Sequence, residues 1–224
     1  MTADFDEQRV KMVDGQVRTT DVSDAAVLAA MLSVPREEFV PPGLRQLAYI
    51  DEDIEVAAAD GDRPARYLME PSPFAKLLQL ARLRSSDFVL DVGCATGYSS
   101  AVLSRIAGFV VALESDTALA ERAAASLSRL GYDNVTVVHG PLTGGHPSEA
   151  PYDVILLEGA VDEVPQTLLD QLRDGGRLIA VIGEGNSGRA TLYRKDDGVF
   201  SSRPAFNAAV EPLAEFRVAP AFEF

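Results

Sequence analysis

A single cysteine, Cys94, in 224 residues excludes an internal disulfide. With only two histidines, His139 and His146, no Cys or His cluster has metal-ligand spacing, so no metal is expected. Basic residues are also few: 20 Lys and Arg stand against 34 Asp and Glu, for a formal net charge of -14, and no Lys or Arg run occurs. Phosphate backbones are bound mainly by basic side chains that neutralise them, so nucleic acid is not an expected partner. No stretch approaches the ~18 apolar residues of a membrane span, and the acidic opening MTADFDEQRV has no apolar targeting core. No membrane partner is expected, and a reducing cytoplasm is the expected setting.

An apolar fraction of 47% with 24% charged residues is that of an ordinary globular protein, and the length suits one core. From Asp24, the run DAAVLAAMLSVP predicts a short helix capped by Asp24 and closed by Pro35. Pro41-Pro42-Gly43 breaks the chain, and Ala57 to Pro73 mixes Gly61, Pro64, Pro71 and Pro73 with charges, a loop composition suited to covering a site. Residues 1–73 are therefore expected to form a helical extension with a cover loop, and residues 74–224 an α/β domain.

In that second part strand and helix signals alternate. FAKLLQLARL has helical period, FVLDV is a short apolar strand, and Tyr98 to Ala107 is a helix. A second strand over Phe109 to Glu114, a helix over Asp116 to Leu130 and a third strand over Val135 to Val138 follow. Strand, helix and strand recur over Tyr152 to Leu157, Pro165 to Leu172 and Arg177 to Ile182. Such alternation predicts a mostly parallel sheet covered on both faces. The C-terminal part, with β-prone runs and no clear helix, predicts antiparallel strands at the sheet edge.

The turn DVGCATG falls where open parallel sheets bind ligands, at the carboxyl end of a strand. Asp91 ends the strand, Gly93 and Gly97 bracket the turn with Ala95 between them, and Tyr98 opens the helix. A dinucleotide fingerprint read from Gly93 would need glycine where Ala95 and Tyr98 stand. Asp91 also suits the cationic amino group of a methionine moiety better than a pyrophosphate. Glu114 ends the next strand at about the 20-residue spacing of a carboxylate that accepts ribose hydroxyls. A nucleoside carrying positive charge is the expected ligand. Cys94 reads as a small buried residue rather than a nucleophile.

Several runs together resemble the protein-L-isoaspartate O-methyltransferases in order and spacing. They are Val34 to Pro41 (VPREEFVP), Ala48 to Asp51 (AYID), the DVGCATGYSSAVLSR loop and helix, Leu130 to Val135 (LGYDNV), Ala150 to Asp153 (APYD) and Gln171 to Leu178 (QLRDGGRL). The resemblance implies a Rossmann-like class I methyltransferase fold: α/β, a mostly parallel seven-stranded sheet with helices on both faces and an antiparallel C-terminal edge. It implies S-adenosyl-L-methionine as cofactor, a protein or peptide substrate, and methylation of the carboxyl of isoaspartyl residues in damaged proteins. Asp91, Gly93, Ala95, Gly97, Tyr98, Glu114, Ser115, Gly140, Pro141 and Leu142 are then the expected cofactor contacts.

At the reacting end the chain departs from the family. A Gly-Gln-Thr-Ile-Ser-Gln-Pro type segment becomes Ala65-Arg66-Tyr67-Leu68-Met69-Glu70-Pro71, so Met69 replaces the serine whose hydroxyl faces the reacting carboxylate. Thr-Ala-Ala becomes Glu158-Gly159-Ala160, and Gly-Asp-Gly, whose Asp takes the adenine amino group, becomes Gly140-Pro141-Leu142. Met69, Glu70 and Glu158 are the diverged catalytic positions. Arg66 is expected either to clamp substrate or to pair with Glu70 four residues on. Two extra carboxylates would repel an anionic nucleophile, each by up to about 4 kcal/mol at ~4 Å and an effective dielectric of ~20. They would serve an amine or hydroxyl nucleophile as base or cation anchor, which keeps a different substrate open. Loss of the serine keeps open a non-catalytic module that binds cofactor or peptide.

Overall fold

The computed structural model describes residues 4–61 and 63–218. Two helices, α1 (Phe5–Met12) and α2 (Ala25–Ser33), open the chain. Asp24 caps α2 as expected, accepting the Ala26 and Val27 amides at 2.9 and 3.2 Å. The segment read as a cover loop is partly regular, because β1 (Ile54–Ala57) and β2 (Arg66–Leu68) pair as an antiparallel ribbon. Helix α3 (Pro71–Ala81) begins at Pro71, earlier than its apolar period suggests. Proline fits the first turn of a helix, where its missing N–H is not needed.

The domain proper continues with β3 (Phe88–Val92), α4 (Tyr98–Ser104), β4 (Phe109–Glu114), α5 (Thr117–Arg129) and β5 (Val135–His139). Then come β6 (Tyr152–Val161), α6 (Gln166–Leu169), β7 (Leu172–Ile182), β8 (Arg189–Asp196) and β9 (Val199–Asn207). The sheet order is β5-β4-β3-β6-β7-β8-β9, parallel from β5 to β7 and antiparallel at β8 and β9. This is the predicted architecture, antiparallel edge included. The last stretch differs from expectation: residues 208–218 form no strand, only one bridge from Pro212 to Ala160. Residues 219–224 lie outside the described ones.

Alternation along the strands makes two cores. Val89, Val110, Ala112, Val154, Leu156 and Ile179 face α3, α4 and the N-terminal extension. Leu90, Val111, Leu113, Ile155, Leu157 and Leu178 face the other way, with Leu142, Leu168, Leu213 and Phe216. The strand order reverses between β3 and β6, and the crevice that a switch point opens at their carboxyl ends holds Asp91, Gly93 and Glu158.

Candidate active site

Asp91 is fully buried, and its Oδ2 accepts the hydroxyls of Ser99, at 2.7 Å, and Ser100 from α4. Its Oδ1 has no partner, and neither has the enclosed Oε1 of Glu158. The two carboxyls are near enough for each to shift the titration of the other. Burial raises Asp91 to about 6 against the pull of its two serine donors, and burial followed by the Asp91 charge raises Glu158 well above the carboxylate range. Burial thus favours the protonated form of both carboxyls.

This pair sets a pH dependence of stability. Both carboxyls hold a proton more tightly folded than unfolded, so the stabilisation is complete below about pH 4 and is lost as pH rises through about 6 and beyond. The urea midpoint should fall from about pH 5 to about pH 8, and Glu158→Gln should flatten that fall. Parallel curves for the two proteins would show that the pair does not titrate in this range.

Glu114 is fully buried, and six donor groups surround its carboxylate, the Ser115 hydroxyl at 3.4 Å among them. Arg66 grips both oxygens, Nη1 to Oε1 at 2.6 Å and Nη2 to Oε2 at 2.9 Å. The Ser115 and Asp116 amides reach Oε1 at 2.8 and 3.0 Å, and the Ala95 amide reaches Oε2 at 2.8 Å. The expectation that Arg66 pairs with Glu70 is thus corrected, because β2 runs extended and carries the guanidinium toward β4 and away from α3. Arg66 Nη2 also donates to the Gly93 carbonyl at 3.0 Å.

Glu70 itself is half-buried, with its amide on Asp53 Oδ1 at 2.6 Å. Burial, and then Asp51 and Asp53, raise its carboxyl to about 7. Met69 and Glu158 meet, with Arg66, Tyr67 and Leu213, around a cavity of about 10 Å³ that Glu70 does not line. Such a volume holds about one water.

Gly93 and Gly97 have φ of 85° and 94° as the turn requires, and Ala95 shares the left-handed conformation at 48°. Their bare faces look in different directions. A Cβ on Gly93 would meet Leu213 at 3.0 Å and Arg66 at 3.2 Å, in the crevice, whereas one on Gly97 would meet Leu127 and Ala123 of α5 at 3.1 and 3.2 Å. Gly97 therefore serves helix packing. Tyr98 also turns from the crevice: its ring is buried against Phe39 and Phe74, with the Arg36 guanidinium 4.7 Å from its centroid. Cys94 is buried and its thiol is pushed well above the usual range, which suits a packing role.

After β5, the Gly140 amide donates to the Glu114 carbonyl at 3.0 Å, and Pro141 leads into a turn at Leu142. The Leu142 amide is taken by Glu215 Oε2 at 3.1 Å, and Ser115 Oγ bonds the same carboxylate. The imidazole of His139 contacts the Ser115 carbonyl and that of His146 contacts Ser148, both at the surface. Among the described residues no group of His, Cys, Asp or Glu could hold a metal ion, and no helix is long and apolar enough to cross a membrane.

Sequence reasoning missed Ser99, Ser100, Asp53, Leu213 and Glu215. The two serines could have been found, since they follow the turn by one helical step, but nothing periodic in residues 208–218 points toward the crevice.

The family described as protein-L-isoaspartate(D-aspartate) O-methyltransferase matches residues 7–215. A protein-L-isoaspartate O-methyltransferase of Methanoculleus marisnigri is 35% identical over 206 residues, 92% of this chain and 91% of that one. One from Rhodopseudomonas palustris is 41% identical over 172 residues, 77% and 76% of the two chains. A solved structure of the same name superposes with a TM-score of 0.78 at 31% identity, covering 91% of this chain and 65% of that longer one. A Plasmodium falciparum structure, described as a protein of this type in complex with S-adenosyl-L-homocysteine, shares the fold, with a TM-score of 0.76 at 20% identity over 94% of this chain and 98% of that one.

Proposed function

The chain belongs to the protein-L-isoaspartate(D-aspartate) O-methyltransferase family, and we propose from that membership that it transfers a methyl group from S-adenosyl-L-methionine to the carboxyl of isoaspartyl residues in proteins or peptides. The observation that carries this reading is the family match across nearly the whole chain, extension and C-terminal segment included. The cofactor, when bound, supplies an electrophilic methyl group on a sulfonium.

The residues fit such a ligand in type. The unpartnered Asp91 Oδ1 suits a cationic amino group, Glu114 suits ribose hydroxyls, and the Leu142 amide is the donor that remains for adenine once Pro141 has replaced an acid. An isoaspartyl carboxylate is already ionised at neutral pH and needs placement more than a base. Burial raises the Glu158 carboxyl, which lessens its repulsion of an anionic substrate.

Labelled methyl transfer into an isoaspartyl peptide, beside its aspartyl isomer, tests the proposal. Incorporation into the isoaspartyl peptide alone is expected, and none into either at saturating cofactor would overturn it. Met69→Ser with Glu158→Thr should raise kcat/KM for the isoaspartyl peptide by about tenfold or more, since a hydrogen bond to a charged group is worth about 1.5–3 kcal/mol. The backbone should keep its place, because the Met69 carbonyl is tied to Arg36 Nη2 at 2.9 Å. A slower double variant would mean that the acid pair, as it stands, positions the substrate.

A further inference from the structure

The groups suited to the cofactor are already engaged by the chain itself. Glu114 gives both oxygens to Arg66, at 2.6 and 2.9 Å. The bare face of Gly93 is covered by Leu213 and Arg66, and the Leu142 amide and Ser115 hydroxyl are held by Glu215. Leu213 and Glu215 belong to one segment that crosses the carboxyl ends of the parallel strands. It is bound to β6 by Ala160 N to Glu211 O at 3.0 Å and Leu213 N to Ala160 O at 2.9 Å. Beyond the crevice it is tied by Arg217 to Glu184 at 3.0 Å and by the Val218 amide to Asp162 at 2.7 Å. What remains between Arg66, Met69, Glu158 and Leu213 is about 10 Å³, far short of the ~300 Å³ or more of a ligand pocket. An open cleft of about 510 Å³ adjoins it, lined by Pro64, Arg66, Ser115, Ala118 and Glu215.

We propose that Arg66 and the segment 210–216 form an internal plug of the cofactor crevice, and that cofactor binds only after the Arg66–Glu114 pair opens and the segment shifts. The inference rests on the cofactor reading above. Two features suit the pair to opening. Glu114 keeps three backbone donors when Arg66 leaves, so its carboxylate is not stranded. Arg66 also borders the open cleft, where water can receive its guanidinium. A ligand that binds only the open form has its affinity reduced by the fraction of molecules that are open.

Calorimetry with S-adenosyl-L-homocysteine and hydrogen exchange on the full chain test this together. Arg66→Gln, which installs the family's side chain, should bind about tenfold tighter or more, and Glu215→Ala, at an exposed residue, should also bind more tightly. Exchange at the Ala160 and Leu213 amides should speed up when ligand binds, although ligands usually protect. If wild type binds and Arg66→Gln binds no better, while ligand slows exchange at Leu213, the plug is disproved and the cofactor reading stands. If neither protein binds at millimolar ligand, both fall.

Discussion

Glu114→Ala is expected to cost about 3–5 kcal/mol of folding stability, the range for breaking a buried ion pair by removing one partner. The loss is asymmetric. Without Arg66, Glu114 still accepts from Ala95, Ser115 and Asp116 at 2.8 to 3.0 Å. Without Glu114, the guanidinium, on a side chain only 8% exposed, keeps the Gly93 carbonyl as its acceptor, and three buried or part-buried amides lose theirs. Arg66→Gln should therefore cost much less than Glu114→Ala. Urea unfolding of the two variants decides, and equal losses would show that the pair, rather than the amide cradle, holds the carboxylate. Cofactor affinity separates them further, since Glu114→Ala should abolish binding while Arg66→Gln strengthens it.

The order of strands and helices was legible because hydrophobic period survives in a single chain: β3, β4 and β5 stand within a residue of where their apolar runs lie. The turn after β3 was legible for a related reason, as its glycines and the carboxylates Asp91 and Glu114 answer to local backbone geometry. What could not be read was the partnership of long side chains across the fold. Arg66 and Glu114 are 48 positions apart, and sequence spacing offered Glu70 instead. Glu215 reaches Ser115 across 100 positions from a segment without any period. The titration of Glu158 could not be read either, because it depends on burial beside Asp91.

The VPREEFVP run marked the family in the sequence without showing what its arginine does, and Arg36→Ala should reveal that role through a large loss of stability. Arg36 is fully buried, and its guanidinium faces no carboxylate within ion-pair distance among the described residues. It instead donates Nε to the Ala48 carbonyl at 2.7 Å and Nη2 to the Met69 carbonyl at 2.9 Å, lying over the ring of Tyr98. Three chain segments are joined through it: the extension, the turn before β1, and the junction of β2 with α3. Each hydrogen bond to a charged group contributes about 1.5–3 kcal/mol, and alanine leaves two buried carbonyls unpaired and a void beside Tyr98. A loss of about 3–5 kcal/mol follows, on the order of 10 °C in Tm for a domain of this size. Arg36→Met separates the causes, since it restores much of the volume and none of the donors. If methionine recovers most of the stability, packing is the larger contribution; if it stays near the alanine variant, the two carbonyl bonds are. A loss below about 1 kcal/mol for alanine would mean that water replaces the guanidinium and that Met69 is positioned by the ribbon and α3 alone.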